Sequence, residues 1–94
     1  MEVALFDWDE ANISHIALHG VTPEEVEEVL ANDPSEAVLQ IHNGEERYYQ
    51  YGLTNEYRCL VVVTTWRSET LIRVATAYPA SPAPRRVCFK ERGL

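Results

Sequence analysis

The sequence predicts an α+β domain in which two N-terminal helices pack on a four-stranded antiparallel sheet. Two helix-start signatures fall within the first 25 residues, the apolar period shortens to two after Ser35, and Asn43-Gly44 marks a tight hairpin. An N-terminal edge strand over residues 3–6 and a short C-terminal helix are expected at the margins of this frame. Ninety-four residues, 46% of them apolar, hold one core, so residues 1–94 read as a single domain.

The first helix is predicted from Glu10 to His19. Asp9 can cap its free amides, Trp8 can staple onto Ile13, and Gly20 supplies the left-handed residue that ends it. Ile13, Ile16 and Ala17 form its expected apolar stripe. In the second helix Thr22 and Glu25 make a capping box around Pro23, while Val26, Val29 and Leu30 face inward and Asn32-Asp33-Pro34 stops the chain. Strands follow: one through Ala37, Leu39 and Ile41, a second from Glu45 to Gly52, a third from Tyr57 to Trp66 and a fourth from Thr70 to Tyr78. The run Leu60 to Val63 is apolar on both faces, as a central strand requires. On the fourth strand, strict alternation places Ile72, Val74 and Thr76 on one side and Leu71, Arg73, Ala75 and Ala77 on the other. Pro79, Pro82 and Pro84 interrupt regular structure before the basic tail of residues 85–92, which forms one short helix or stays unstructured.

Net charge is −7, an average that conceals a division along the chain. Residues 1–46 carry twelve acidic side chains and no Lys or Arg, whereas residues 47–94 carry three acidic and eight basic ones, giving −12 and +5. The expectation is one acidic and one basic face, the latter nearly all arginine, which matches phosphate bidentately. Leu60 to Val63 is too short to span a membrane and Met1-Glu2-Val3 has no positive flank, so the chain is expected to be cytoplasmic. Cys59 and Cys88 lack paired CxxC spacing and read as free thiols.

No phosphate-binding loop, GxSxG elbow, HExxH helix or dinucleotide fingerprint occurs, which sets those enzyme classes aside. Asn12, His15 and His19 share one stripe of the first helix, yet two histidines with Asp7 and Asp9 beside them make an incomplete metal set, and neither metal nor cofactor is expected. His19 in the last turn suits the helix dipole, and Asn12 and His15 suit docking onto the sheet. Arginine and tyrosine on the strands remain: Arg47, Tyr48, Tyr49, Tyr51, Arg58, Arg67, Arg73 and Tyr78. On an open sheet face they would grip single-stranded RNA through stacking and phosphate contacts; as packing residues they would do neither. Arg58 and Arg73 sit in apolar strands, so each guanidinium needs an ion partner such as Glu69 or an open face.

The pattern Phe6-x-Trp8-Asp9-x-x-Asn12, His15 and His19-Gly20-Val21-Thr22-x-Glu24-Glu25-Val26 resembles the opening of the BrnT-type toxins of type II toxin-antitoxin modules. Glu46-Arg47, Gly52-x-Thr54, Arg58-x-Leu60-x-Val62-Val63 and Ile72-Arg73-Val74-x-Thr76-Ala77 extend the resemblance over about residues 5–81. It implies a fold similar to RelE-type ribonucleases, metal-independent mRNA cleavage that inhibits translation, and a cognate antitoxin, with a dimer or heterotetramer as the assembly. Carried onto matching positions, Arg58 and Arg73 are the expected phosphate stabilisers, with Glu69, His19 or His15 as proton carriers. Arg47, Arg67, Tyr78, Arg85 and Arg86 are the expected RNA contacts. The chain departs from the family at Leu18 and Tyr78, in the prolines of its tail and in its acidic balance. These departures carry the alternative expectation of a catalytically weak, toxin-like protein-binding module.

Overall fold

The computed structural model describes residues 5–91. The elements run β1 (Leu5–Phe6), α1 (Glu10–Ala17), α2 (Pro23–Ala31), β2 (Val38–His42), β3 (Glu45–Leu53), β4 (Cys59–Trp66), β5 (Leu71–Pro79) and α3 (Pro82–Glu91). The sheet has five strands in the order β1-β5-β4-β3-β2. β2 to β5 form the expected antiparallel meander, and β1 adds to β5 in parallel, making the sheet mixed. Val3 and Ala4 of the expected edge strand, and Arg92 of the tail, lie outside the described residues.

Local signals act where the sequence puts them. Asp9 accepts from the Asn12 amide at 3.0 Å while the Asn12 side chain accepts from the Asp9 amide at 2.8 Å, closing a capping box at α1. Thr22 and Glu25 close a second box at α2. α1 ends at Ala17, short of His19, because the amides of Gly20 and Val21 turn back to Ala17 and Ile16 at 3.0 and 3.1 Å, a Schellman ending. Gly44, at φ 79°, completes the β2–β3 turn.

Ile16, Val21, Val26 and Val29 pack on Leu60, Val62, Val74 and Ala77, so α1 and α2 cover one side of the sheet, its helix face. α2 lies close: a Cβ on Gly52 would come within 3.1 Å of Val29 and 3.2 Å of Pro34. Burying these side chains supplies on the order of 1.5–3 kcal/mol each, the dominant favourable contribution. The buried stripe of α1 is not the expected one. Ile13 is 40% exposed, and Asn12 is buried beside Ile16, its side-chain amide donating to the carbonyls of Asp7 and Val74 at 2.9 and 3.3 Å. A polar residue can hold this position because its hydrogen bonds replace those lost to water.

α3 starts at Pro82 despite the prolines, since the first turn of a helix needs no amide donors. It crosses the opposite, outer face, where Cys88 is buried with Leu53 and Cys59. Cys59 and Cys88 form a disulfide, which corrects the expectation of free thiols. The pairing is set by tertiary contact across 29 positions, a separation that carries no local signal.

Candidate active site

The site rests on a break in β5. Its register with β4 shifts between Val63 and Thr64, so that Val63 faces Thr76 while Thr64 faces Val74, and Ala75 bulges out unpaired. Strict alternation fails there. Ile72, Val74 and Ala77 go to the helix face, whereas Arg73, Thr76 and Tyr78 share the outer face with Thr65 and Val63. The bulge therefore corrects the expected grouping of Thr76 with Val74.

α1 lies along β5, held there by the Asn12 bond to Val74, and its Ala11 and His15 rise beside the bulge. Between them and the start of β3 opens a cleft of about 530 Å³, walled by Arg47, Arg67 and Arg73 and floored by Thr65 and Thr76. Arg73 donates to both carboxylate oxygens of Asp9, at 2.9 and 3.2 Å, and to Asp7 at 3.3 Å. The guanidinium bonds hold the Asp9 carboxyl below its ordinary range, with the Asn12 amide assisting. Arg67 lies 3.9 Å from Asp7, and Arg47 donates to Glu45 at 3.0 Å. Each cleft arginine thus has a carboxylate neighbour, none of them fully buried. Arg67 is 48% exposed and Arg73 only 19%, yet the carboxylates that pair with them are 36–48% exposed and can be solvated, so a phosphate can compete for these guanidinium groups. The Thr76 hydroxyl is buried in the cleft floor without a hydrogen-bond partner among the described residues.

Of the aromatic groups nearby, His15 lines the cleft, while His19 and Tyr78 stand beside it outside the lining. His15 and His19 have ring centres 5.5 Å apart, and His19 meets Tyr78 edge-on at 6.2 Å. Burial, and to a lesser degree Tyr49, raises the Tyr78 hydroxyl above its ordinary value.

The other expected site residues lie elsewhere. Arg58 donates to the Gly20 carbonyl at 2.7 Å and to Glu25 at 3.0 Å, tying the start of β4 to the start of α2. It borders a separate hollow with Arg85 near α3, at the far end of β4 from the cleft. Glu69 is exposed in the β4–β5 turn and does not line the cleft, and Arg86 is exposed on α3. Asp7 and Asp9, weighed from the sequence only beside the histidines as an incomplete metal set, instead hold Arg73, an approach that spans 66 and 64 positions. Thr76 was legible only as an alternating strand residue.

Charge does not divide into faces as expected. Every salt bridge among the described residues joins a carboxylate of residues 1–46 to an arginine beyond them, so the two charged halves fold onto each other. Three of the four α2 carboxylates are likewise engaged: Glu25 with Arg58, Glu27 with the Trp8 indole at 2.8 Å, Glu28 with the Asn55 amide at 2.9 Å. Among the described residues, no helix is long and apolar enough to cross a membrane, and no cluster of three or more His, Cys, Asp or Glu is arranged to hold a metal ion.

No match appears among curated proteins. The family model for the ribonuclease toxin BrnT of type II toxin-antitoxin systems matches residues 8–83, from Trp8 through every strand of the meander into α3. With most of its length matched, the chain belongs to the BrnT family of ribonuclease toxins.

Proposed function

We propose that this toxin cleaves mRNA without a metal, in the cleft between α1 and the bulged strand β5, and thereby inhibits translation. The observation that carries the reading is the meeting of three guanidinium groups, Arg47, Arg67 and Arg73, with His15 around one solvent-open cleft. Cleavage of an RNA strand by its own 2′-hydroxyl needs a base, an acid and a cation for the charge that grows on phosphorus. In this reading His15 takes the 2′-hydroxyl proton, the 2′-oxygen attacks phosphorus, and the bond to the 5′-oxygen breaks as His19 returns a proton to it. Products are a 2′,3′-cyclic phosphate and a 5′-hydroxyl. Arg73, held by Asp7 and Asp9, bears on the phosphate, with Arg67 and Arg47 on its flanks. Tyr78, beside His19, offers a stacking surface for the next base. Arg85 and Arg86 on α3 would engage a longer strand, and Arg58 and Glu69 act outside the reaction. The chain works in the cytoplasm, where its substrate is, and its cognate partner is the antitoxin.

One observation favours the second reading, a protein-binding module with little catalysis: each cleft arginine already has a carboxylate beside it. One experiment separates the two. Purified full-length protein is incubated with mRNA, and the product ends are mapped for wild type, Arg73→Ala and His15→Ala. The nuclease reading expects cyclic-phosphate ends from wild type and none from Arg73→Ala. Intact RNA with wild-type protein that still binds its antitoxin would leave the binding module standing.

A further inference from the structure

β2 is the outermost strand of the sheet, and it lacks the features that keep a strand edge from pairing. Residues 37–44 contain no charged side chain and no proline, and Val38, Leu39 and Ile41 are 56%, 49% and 64% exposed. Asn43 and Gly44 both have positive φ, 51° and 79°, so the hairpin is a two-residue turn of the primed kind, in which His42 and Glu45 exchange both main-chain bonds. Alternation then directs the main-chain groups of Gln40 and Val38 to β3. Those of Leu39 and Ile41 point outward.

We propose that a second copy of this chain occupies this edge, the two β2 strands pairing antiparallel about a two-fold axis at Gln40. The strand is self-complementary in that register. Leu39 lies opposite the partner's Ile41, and Ile41 opposite the partner's Leu39, so the outward amides and carbonyls are bonded twice over and the same side chains form apolar cross-strand pairs. Centring the axis on Leu39 instead would set Ala37 against the partner's Ile41 and cover less apolar surface. The absence of charge selects against a basic protein segment, which would find nothing on β2 to neutralise, and favours a neutral strand like itself. Mutual repulsion of two chains of net charge −7 is confined to the ends of the contact, where Glu36 would approach the partner's Glu45, because β2 itself is uncharged and the β3 carboxylates would stand three strand spacings apart, roughly 14 Å and beyond the screening length at physiological salt. Pairing closes at two copies, because a two-fold contact uses up the β2 edge of both chains. The contact is small, which places it among weak, micromolar interfaces. It does not depend on the nuclease reading.

The test is sedimentation velocity of the full chain without antitoxin, from low-micromolar to near-millimolar concentration. Wild type is expected to move from 10.7 kDa toward twice that mass, and Ile41→Lys, a change at an exposed position, to remain monomeric with an unchanged circular dichroism spectrum. Gln40→Cys reports the register independently: the two cysteines would face each other across a non-hydrogen-bonded pair and give a reducible covalent dimer on mild oxidation, whereas Glu36→Cys would not. A monomer at every concentration overturns the proposal, as does a dimer indifferent to Ile41→Lys. Amide protection of Leu39 and Ile41 that arises only when antitoxin is added also overturns it, and would name that protein as the occupant.

Discussion

At one end of the sheet, Arg73 looks into a cleft beside His15; at the other, Arg58 is tied to the turn before α2 while a disulfide fastens α3 over Leu53 and Cys59. Arg73 lies on β5 and Arg58 immediately precedes β4, and both bind carboxylates of the first half of the chain. They differ in what lies beyond the ion pair. Arg58 is completed by a backbone carbonyl and joins two elements, which makes it a structural tie. Arg73 is held by two half-exposed aspartates on the wall of the larger cleft, beside Arg47, Arg67 and His15, an arrangement that gathers cations around one space although its own side chain is 19% exposed against 38% for Arg58. Residue type and pairing are therefore poor guides to role; which functional groups share the space beside the guanidinium decides.

Substitutions at the two ends should separate these roles. The largest effect is expected from Arg73→Ala, a loss of RNA cleavage of about 10²-fold or more, the usual consequence of removing a transition-state donor, with stability changed by less than about 1 kcal/mol because its aspartates can be solvated. Cleavage at the wild-type rate would move the reaction out of the cleft. Next comes Cys88→Ser, expected to lower unfolding free energy by about 2–4 kcal/mol in denaturant titrations while cleavage persists wherever the protein is folded. An equal stability in reducing and oxidising buffer would show that α3 needs no covalent tie. Arg58→Ala should cost about 1 kcal/mol and leave cleavage unchanged. If it abolished cleavage in a folded protein, the distinction between the two arginines would collapse.

The smallest effect is on the acid side. Asp9 is held below its ordinary range chiefly by its hydrogen bonds with Arg73, so the stability it contributes is complete above about pH 4 and disappears as the pH falls through its lowered value. Asp9→Asn keeps a competent cap but should flatten the acid limb of a stability–pH curve measured between about pH 4 and 2. An unchanged limb would mean that Asp9 and Arg73 are not paired in solution.

Much of the fold was legible because its signals are local. The Thr22–Glu25 box, Gly20, the Asn43-Gly44 turn and the apolar core of β4 each act within a few residues, and the structure uses all of them. The candidate site was legible only in part. Arg47, Arg67 and Arg73 could be named as cations on strands, but their convergence depends on the pairing of β3, β4 and β5 around Thr65, and the bulge at Ala75 is what brings Thr76 to the same face. Strict alternation would have sent Thr76 to the helix face and left the cleft without its floor.

By itself the sequence determined where helices begin and end, where the chain turns, which strand lies at the centre and which family the chain resembles, since capping, turn geometry and apolar period are read over spans of a few residues. The tertiary structure alone decided which arginine ties two elements together and which joins other cations around the cleft, that Cys59 meets Cys88, and that carboxylates of the acidic half pair with arginines of the basic half. Those outcomes depend on contacts between residues dozens of positions apart, and their energies exist only once the sheet has brought the partners together.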